Sequence, residues 1–448
     1  MPVVARYLDI SNMEHLRLWA PLCLIVTLVV TKSLYRLYFH PLSRFPGPRL
    51  AAVTHLYEFY HDVVRNGMFL WKIQEMHEKY GETASMVSRH SLTRSSGPIV
   101  RINPREIHIR DPYFHDHIYA SGGRKRTKDP HFVPLFAAPL SMITTIDHDH
   151  HRFRRGILSS FFSKRSVVNM TPLIQEKVSI LMERFDQASH DGTVMDLTAA
   201  FCALTGDIIA HYTYGQSADC LRDRDFKNDI SGGILELESA NHLNRFVPLL
   251  VPLMQLVPSG LAAYLKPATA SILAQVTNQS KDALMQSNKR DQEKDQEHGR
   301  QTLVEALSSP KLPAGERTLP RLQQEGMILL SGGTESPANA LSVAAFHLSN
   351  NPSTHGKLRE EVQPVTHTAG QSLTLAQLEQ LPYLVRHLFD IEVDGLSNVS
   401  DTFPSTDWGS QRGPSVVIWF DLSSATDCTR GDVDVWRIRY SSWSKQYP

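Results

Sequence analysis

The stretch LLSGGTESPANALSVAAFHL, from Leu329 to Leu348, decides the fold prediction for this chain. Apolar residues recur with helical spacing from about Arg321 to Leu348, which predicts a long buried helix. Its middle breaks helix rules, because each of two adjacent glycines costs about 1 kcal/mol against alanine and Pro337 removes the partner of the Gly333 carbonyl. An acid and a hydroxyl follow the glycines. Two interpretations stay open: close packing of another helix with a kink, or a functional site.

The composition indicates an ordinary globular chain. Its 448 residues are 42% hydrophobic and 21% charged, which suits one large domain or two medium ones. The 46 basic and 46 acidic residues cancel, so charge gives no case for nucleic-acid binding. The four cysteines, Cys23, Cys202, Cys220 and Cys428, lack metal-site spacing and a disulfide framework, which indicates a reducing compartment. Cys202 lies in an apolar segment and reads as a small core residue.

The N-terminal segment is apolar. Leu18 to Thr31 carries no charge, and it reaches the roughly 20 residues of a spanning helix only if it continues to Phe39 with Lys32 snorkelling. More basic residues follow the segment than precede it, which predicts a cytosolic body. A secretory signal is the alternative. We favour an anchor, because no small-residue cleavage site follows and the Pro-rich hinge HPLSRFPGP, residues 40–48, does.

Helical patterns with short turns continue along the body. Leu56 to Tyr80 is amphipathic and predicts a helix, and further helices are predicted over 192–214 and 241–258. Residues 98–104 alternate like a strand. The loop from 122 to 130 is basic, and its simplest interpretation is a solvated surface.

A histidine-rich segment, DHDHHRFRR, spans residues 147–155. A metal site is one interpretation, but adjacent helical residues point to different faces, and only His148 and His151 have a usable spacing. The sequence better fits the start of a basic helix capped by Asp147. His151 and Arg155 lie one helical turn apart, so both can donate to one carboxylate. A solvated basic face is the alternative.

The central motif resembles a known family. GGTESP, residues 332–337, is similar to the Ala/Gly-Gly-x-Asp/Glu-Thr-Thr/Ser pattern in the oxygen-activating helix of cytochromes P-450. The resemblance implies that Gly332 and Gly333 lie against the haem face, and that Glu335 and Ser336 relay protons during oxygen activation. Serine replaces the usual threonine, so the hydroxyl is kept but the methyl that stiffens the rotamer is lost.

Other segments extend this resemblance. His151 and Arg155 match the family signature Trp/His-x-x-x-Arg, which implies that they contact the haem propionates. The anchor with its Pro-rich hinge resembles the start of membrane-bound members. ALTGDII, residues 203–209, and NRFVP, residues 244–248, resemble segments of fungal cytochromes P-450 of secondary metabolism.

The family resemblance implies a complete set of expectations. The fold is expected to be mainly α with a small β-sheet, preceded by an N-terminal membrane helix and incomplete at the C-terminus. The expected cofactor is haem b, and the expected partners are a membrane, an NADPH-cytochrome reductase and an apolar small-molecule substrate, with no nucleic acid. The expected location is the endoplasmic reticulum membrane, with a cytosolic body. The expected reaction is monooxygenation in secondary metabolism.

The resemblance breaks twice. Residues 82–97 stand where the family joins its neighbouring segments directly; they are either a tolerated surface insertion or, as a hypothesis, a translated intron. After Leu384 neither a core Glu-x-x-Arg nor the haem-binding cysteine loop follows, and matches to the former at Glu14 and Glu297 lie in the anchor and a polar loop. Cys428 is the last cysteine, but its neighbours do not match the loop. No axial metal ligand is therefore predicted.

We therefore predict three regions. Residues 1–40 form a membrane anchor, residues 41–384 a partial cytochrome P-450 domain with the 82–97 insertion, and residues 385–448 an unrelated or divergent tail. The chain is predicted to be inactive as written, because oxygen insertion at a haem needs a thiolate ligand. The alternative is a non-catalytic, membrane-anchored helical scaffold or partner protein.

Overall fold

The structure is a computed structural model in which most of the chain forms helices. It describes residues 10–87, 99–111, 114–119, 125–238, 241–293, 302–369, 374–385, 415–417 and 439–441. These residues fall into two compact units, one running to Arg126 and the other beginning at Thr127. Cys428 and residues 88–97 of the predicted insertion lie outside the described residues.

The predicted mainly α fold with a small β-sheet is confirmed. The helices are α1 (Ile10–Leu34), α2 (Arg49–Val53), α3 (Leu56–Phe59), α4 (Phe69–Val87), α5 (His115–Ile118), α6 (His148–Ser159), α7 (Lys164–Asn169), α8 (Thr171–Asp191), α9 (Leu197–Tyr214), α10 (Asp229–Glu238), α11 (Asn241–Phe246), α12 (Leu250–Gln255), α13 (Ser259–Leu265), α14 (Pro267–Glu293), α15 (Leu303–Leu307), α16 (Leu319–Asn350), α17 (Pro352–Ala369) and α18 (Leu375–Leu378). The strands are β1 (Ile99–Arg101), β2 (Ile107–Ile109), β3 (Ser415–Val417) and β4 (Arg439–Ser441). β1 pairs antiparallel with β2, and β3 pairs antiparallel with β4.

The N-terminal unit begins with an exposed apolar helix. α1 passes directly into a wider helical turn over Tyr35–Phe39. The 21 residues from Trp19 to Phe39 are long and apolar enough to cross a membrane, by length and composition only. A signal sequence passes the same test, so the choice between anchor and signal stays a prediction.

Arg101 ties the hinge of this unit to its sheet. Its buried guanidinium donates to the carbonyl oxygens of Arg36 at 2.8 Å and Pro104 at 2.9 Å. Its backbone N–H donates to the carbonyl of Pro46 at 2.7 Å. The segment that follows the apolar helix is therefore held by β1.

The amphipathic segment Leu56–Tyr80 is not the single helix that its pattern predicts. α3 and the turn Tyr60–Val64 end before Asn66 and Gly67, whose φ angles are 51° and 84°. This left-handed backbone interrupts a helix, and glycine adopts it without steric cost. α4 then begins at Phe69, and Met76 packs in a core with Val100 of β1.

The second unit is built around two long, buried helices. α9 packs along α16, and α14 crosses α16 as well. Their apolar contacts form one core with parts of α6, α10 and α15; its buried members are Leu158, Ile209, Ala210, Tyr212, Ile230, Ile234, Ile272, Val276, Leu303, Leu307, Leu322 and Leu330. α16 runs from Leu319 to Asn350, which confirms the long helix predicted around Pro337.

Two other helix predictions need correction. The helix predicted from residue 192 begins at Leu197, because Gly192 ends α8 with φ at 64° and Asp196 caps α9 by accepting from the N–H of Thr198 at 2.9 Å. The helix predicted over 241–258 is divided into α11 and α12.

Candidate functional site

The polar turn of α16, residues 334–336, lies inside an unbroken helix. Pro337 is accommodated within α16. Thr334 is buried, and its carbonyl accepts from the Thr205 hydroxyl of α9 at 2.8 Å. α9 thus supplies a donor beside the turn that Pro337 weakens.

The two central glycines differ in their surroundings. A Cβ added at Gly333 would overlap the side chain of Ile209 on α9, whose Cδ1 would lie 2.8 Å away. Gly333 therefore has a packing function, which is one of the two interpretations that the sequence left open. Gly332 is half-buried. The haem-face position of both glycines stays a prediction.

Glu335 points into a polar seam between helices. Its Oε1 accepts from the Ser231 hydroxyl of α10, and its Oε2 lies 4.0 Å from the Cys202 sulfur. Burial raises the pKa of Glu335, and the Ser231 hydrogen bond partly offsets this. Ser336 is half-buried beside it. A carboxyl in such a site binds a proton more readily than one in water, which fits a proton-handling group.

The histidine-rich segment begins α6 as predicted. Asp147 caps the helix by accepting from the N–H of His150 at 2.8 Å. His148 is 3.0 Å from Asp149, and the Nε2 of His150 is 2.6 Å from Glu316. These contacts involve four of the five aspartates and histidines that suggested a metal site, and the fifth is His151. In the described part of the chain, no group of three or more His, Cys, Asp or Glu side chains is arranged to hold a metal ion.

His151 and Arg155 share a basic cluster with Lys128. Burial, together with Lys128 and Arg155, lowers the pKa of His151 to about 4. Burial, together with Arg155, lowers the pKa of Lys128 to about 8, although Glu325 acts in the opposite direction. We refer to His151, Arg155 and Lys128 as the basic cluster. Lys128 comes from the loop whose sequence suggested a solvated surface, and for this residue that interpretation is wrong: it is half-buried, with its ammonium 3.3 Å from the Met142 carbonyl.

A network of ion pairs fixes α6 against the start of α16. Arg154 Nε lies 2.8 Å from Glu316, and Arg321 Nε lies 3.4 Å from the same carboxylate. Arg321 also pairs with Glu325, which accepts from the N–H of Met142 at 2.8 Å. This network was not predicted from the sequence. It could have been inferred from the spacing of Arg321 and Glu325, because oppositely charged residues four apart in a helix face each other.

The residues of this unit fit part of a haem site. Burial and the neighbouring charges lower the pKa values of His151 and Lys128, so a bound carboxylate such as a propionate would stabilise their cationic forms. The described cysteines do not fit the axial position. Cys23 lies in α1 and Cys220 is buried, while burial and Glu335 raise the pKa of Cys202 to about 12, which keeps its thiol protonated. The described residues therefore include basic side chains that fit a carboxylate, but no cysteine that fits the axial position.

Comparisons with known proteins point to one family. A family model described as cytochrome P450 matches residues 46–388. Conidiogenone synthase PchP450 of Penicillium rubens is 44% identical over 353 residues, which cover 78% of this chain and 66% of that protein. Cytochrome P450 monooxygenase aflU of Aspergillus parasiticus is 41% identical over 373 residues, covering 81% and 68%. Cytochrome P450 monooxygenase TRI4 of Fusarium sporotrichioides is 38% identical over 358 residues, covering 79% and 65%. This chain thus spans about two thirds of the length of these relatives.

Proposed function

The chain belongs to the cytochrome P450 family, and we propose that it derives from a membrane-anchored haem monooxygenase of fungal secondary metabolism and is inactive as written. The similarity to PchP450, aflU and TRI4 supports the fungal, secondary-metabolic origin. The structural observation that carries the cofactor proposal is the basic cluster, since half-buried basic side chains held together favour an anionic ligand.

Each part of the site has a proposed function. His151, Arg155 and Lys128 bind the carboxylates of haem b, which supplies the redox chemistry when it is bound. Gly332 leaves room on the cofactor side of α16, while Gly333 lets α9 approach. Glu335 holds a proton that Ser336, through its hydroxyl, passes toward the cofactor face.

The proposed inactivity rests on the sequence after Leu384. No Phe-x-x-Gly-x-Arg-x-Cys-x-Gly loop occurs there, and the neighbours of Cys428 do not match it. A haem iron that activates oxygen depends on a thiolate for electron donation. Without one, the residues of α6 and α16 only cradle the porphyrin.

The apolar segment from Trp19 to Phe39 supports a membrane location. We place the body on the cytosolic face of the endoplasmic reticulum, because basic residues are more numerous on the C-terminal side of this segment. An active relative in this location would take electrons from an NADPH-cytochrome reductase and act on an apolar small molecule. We propose a membrane anchor over residues 1–40, a partial cytochrome P450 domain over residues 41–384 and an unrelated or divergent tail over residues 385–448.

The first experiment is a reduced carbon monoxide difference spectrum of the full chain in detergent. We expect no thiolate-type Soret band. A thiolate-type band would overturn the proposed inactivity and make Cys428 the residue to replace. Transcript sequencing belongs beside it: a transcript that removes 82–97 or changes after Leu384 would show that the active protein has a different sequence, whereas a matching transcript supports a pseudoenzyme.

Haemin titration tests the cradle separately from activity. Arg155→Met is expected to weaken haemin binding about tenfold, the equivalent of about 1.4 kcal/mol. The matched control is Arg152→Met, which removes an exposed arginine from the same helix and should leave the affinity unchanged. If both substitutions weaken haemin binding equally, or if neither changes the haemin affinity, the basic cluster is not the propionate site.

A scaffold function is the second candidate. The observation in its favour is the ion-pair network of Arg154, Glu316, Arg321 and Glu325, which joins α6 to α16 through protein groups alone. A chain that unfolds cooperatively without haem, and binds none when haemin is added, would support the scaffold over the enzyme.

A further inference from the structure

Two serine–glutamate contacts join α10 to α16. The Ser231 hydroxyl of α10 donates to Glu335 of α16, and the Ser331 hydroxyl of α16 donates to Glu238 of α10 at 2.8 Å. Each helix therefore provides one donor and one acid. Ser331 and Glu335 are one helical turn apart, so they share a face of α16.

This seam contains two acids and no paired cation among the residues described. Glu238 is only 6% exposed, and its buried Oε2 has no hydrogen-bond partner within the part of the chain that the structure describes. Glu335 contacts the Cys202 thiol and the Ser231 hydroxyl. Each ionised carboxylate in such a place loses hydration that two hydroxyls and a thiol replace only in part, and two nearby carboxylates also repel each other.

We propose that Glu238 is a positioning residue for Glu335: it keeps a second, proton-bearing carboxyl in the same buried seam, so the two acids do not both carry full charge at neutral pH. This inference rests on the proposed function in one respect only, namely the assignment of Glu335 as the proton-handling acid. The contacts themselves are independent of any cofactor.

The electrostatics of the seam agree with this geometry. Burial raises the pKa of Glu238 to about 7; the Ser331 hydrogen bond opposes the shift, and the charge of Glu335 adds to it. Burial also raises the pKa of Glu335. Because the interaction between two titrating groups is mutual, an ionised Glu238 holds a proton on Glu335 as strongly as an ionised Glu335 holds one on Glu238.

Titratable groups on the neighbouring elements include Cys202 of α9, Glu236 of α10, the buried His242 of α11 and Lys266, which precedes α14. On α9, Cys202 has its pKa raised to about 12 and stays neutral. On α10 itself, Glu236 turns toward α14, where its Oε2 accepts from the Thr269 hydroxyl at 2.8 Å. Lys266 donates to the Glu236 carbonyl at 2.8 Å and not to either acid of the seam. Among the described residues, these contacts leave no lysine or arginine paired with either acid of the seam.

Infrared titration of the full chain in detergent tests the proposal, because it reads protonated carboxyl groups whether or not haem binds. We expect a buried carboxylic-acid C=O band that disappears as the pH rises through about 7. Glu238→Gln should abolish this band, and the matched control Glu236→Gln should leave it intact. Survival of the band in Glu238→Gln, or absence of any such band near neutral pH in the wild type, would overturn the proposal.

Two further variants test the coupling. Glu335→Gln removes the neighbouring charge and should lower the midpoint of the Glu238 band by on the order of one pH unit. Ser331→Ala removes a donor that favours the ionised acid, so the midpoint should rise; this variant also serves if Glu238→Gln does not fold. A midpoint that stays in place in Glu335→Gln would mean that Glu238 titrates independently of Glu335 and would overturn the proposal, whereas an unchanged midpoint in Ser331→Ala would contradict the assignment of the band to Glu238. A failed carbon monoxide spectrum would leave these expectations unaffected.

Discussion

A single carboxylate, Glu316, neutralises basic side chains behind α6. It contacts His150, Arg154 and Arg321, and only 11% of its side chain is exposed. Burial alone would raise its pKa, but the hydrogen bonds from Arg154 and His150 prevail and lower it to about 2. The charge of this one residue therefore supports the helix that carries His151 and Arg155.

Replacing Glu316 should be costly and pH-dependent. We expect Glu316→Gln to lower the free energy of unfolding by about 3 kcal/mol at pH 7, because Arg154 then stays buried without its counter-charge. A pKa below the unfolded value of about 4.3 stabilises the fold above that pH. The difference between wild type and variant should therefore shrink as the pH falls from about 4.3 toward about 2.

Urea unfolding monitored by circular dichroism at several pH values measures this difference. Asp149→Asn is the matched control, since Asp149 is 62% exposed and contacts His148 at the start of the same helix. Its effect should stay within about 0.5 kcal/mol. A Glu316→Gln variant as stable as this control would show that the network contributes little.

At the scale of the helices, the close packing of α9 against α16 positions the polar turn. A side chain at Gly333 would need the space between α9 and α16 that the Ile209 side chain fills. Gly206 lies one turn away on α9, where an added Cβ would lie 2.8 Å from the Asn228 amide nitrogen and 3.5 Å, an ordinary contact distance, from Thr334. The polar turn is thus held in place by small residues on both helices.

We expect Gly333→Ala to destabilise the protein by about 1–3 kcal/mol, because overpacking displaces Ile209 or the helix backbone. Gly156→Ala is the matched control: it lies within α6 and an added methyl would meet no atom within 4 Å. This control should stabilise the protein by up to about 1 kcal/mol, the helix preference of alanine over glycine. Thermal unfolding of both variants decides the matter, and equal melting temperatures would contradict the packing interpretation.

Secondary structure was predictable where one pattern dominated. α16 followed from its apolar spacing in spite of Pro337, since packing along α9 outweighs one lost hydrogen bond. The division of the segment from Leu56 to Tyr80 did not follow, because the left-handed backbone at Asn66 and Gly67 leaves the apolar periodicity unchanged.

The site was less predictable than the helices. His151 and Arg155 lie one turn apart, so local spacing was enough to pair them. Lys128 belongs to a basic loop, and the composition of that loop does not reveal whether the lysine faces solvent or packs beside His151 and Arg155. Glu238 is 93 residues from its partner Ser331, and only the tertiary fold brings such positions together.

For the whole molecule, the choice between a membrane anchor and a cleaved signal changes where the protein resides. We expect deletion of residues 1–31 to move the protein from the carbonate-resistant membrane fraction to the soluble fraction. This deletion retains Arg36, whose carbonyl accepts from Arg101, so the body should still fold. The control is the full chain, whose N-terminal sequence should remain intact after expression; a mature N-terminus beyond Phe39 would instead identify a signal.

The shared space between Gly333 and Ile209 also has an evolutionary consequence. A larger residue at position 333 costs less stability once position 209 has become smaller, because both side chains would fill the same gap between α9 and α16. The two sites are therefore expected to change together. A substitution selected in one helix restricts the substitutions that the other helix can accept.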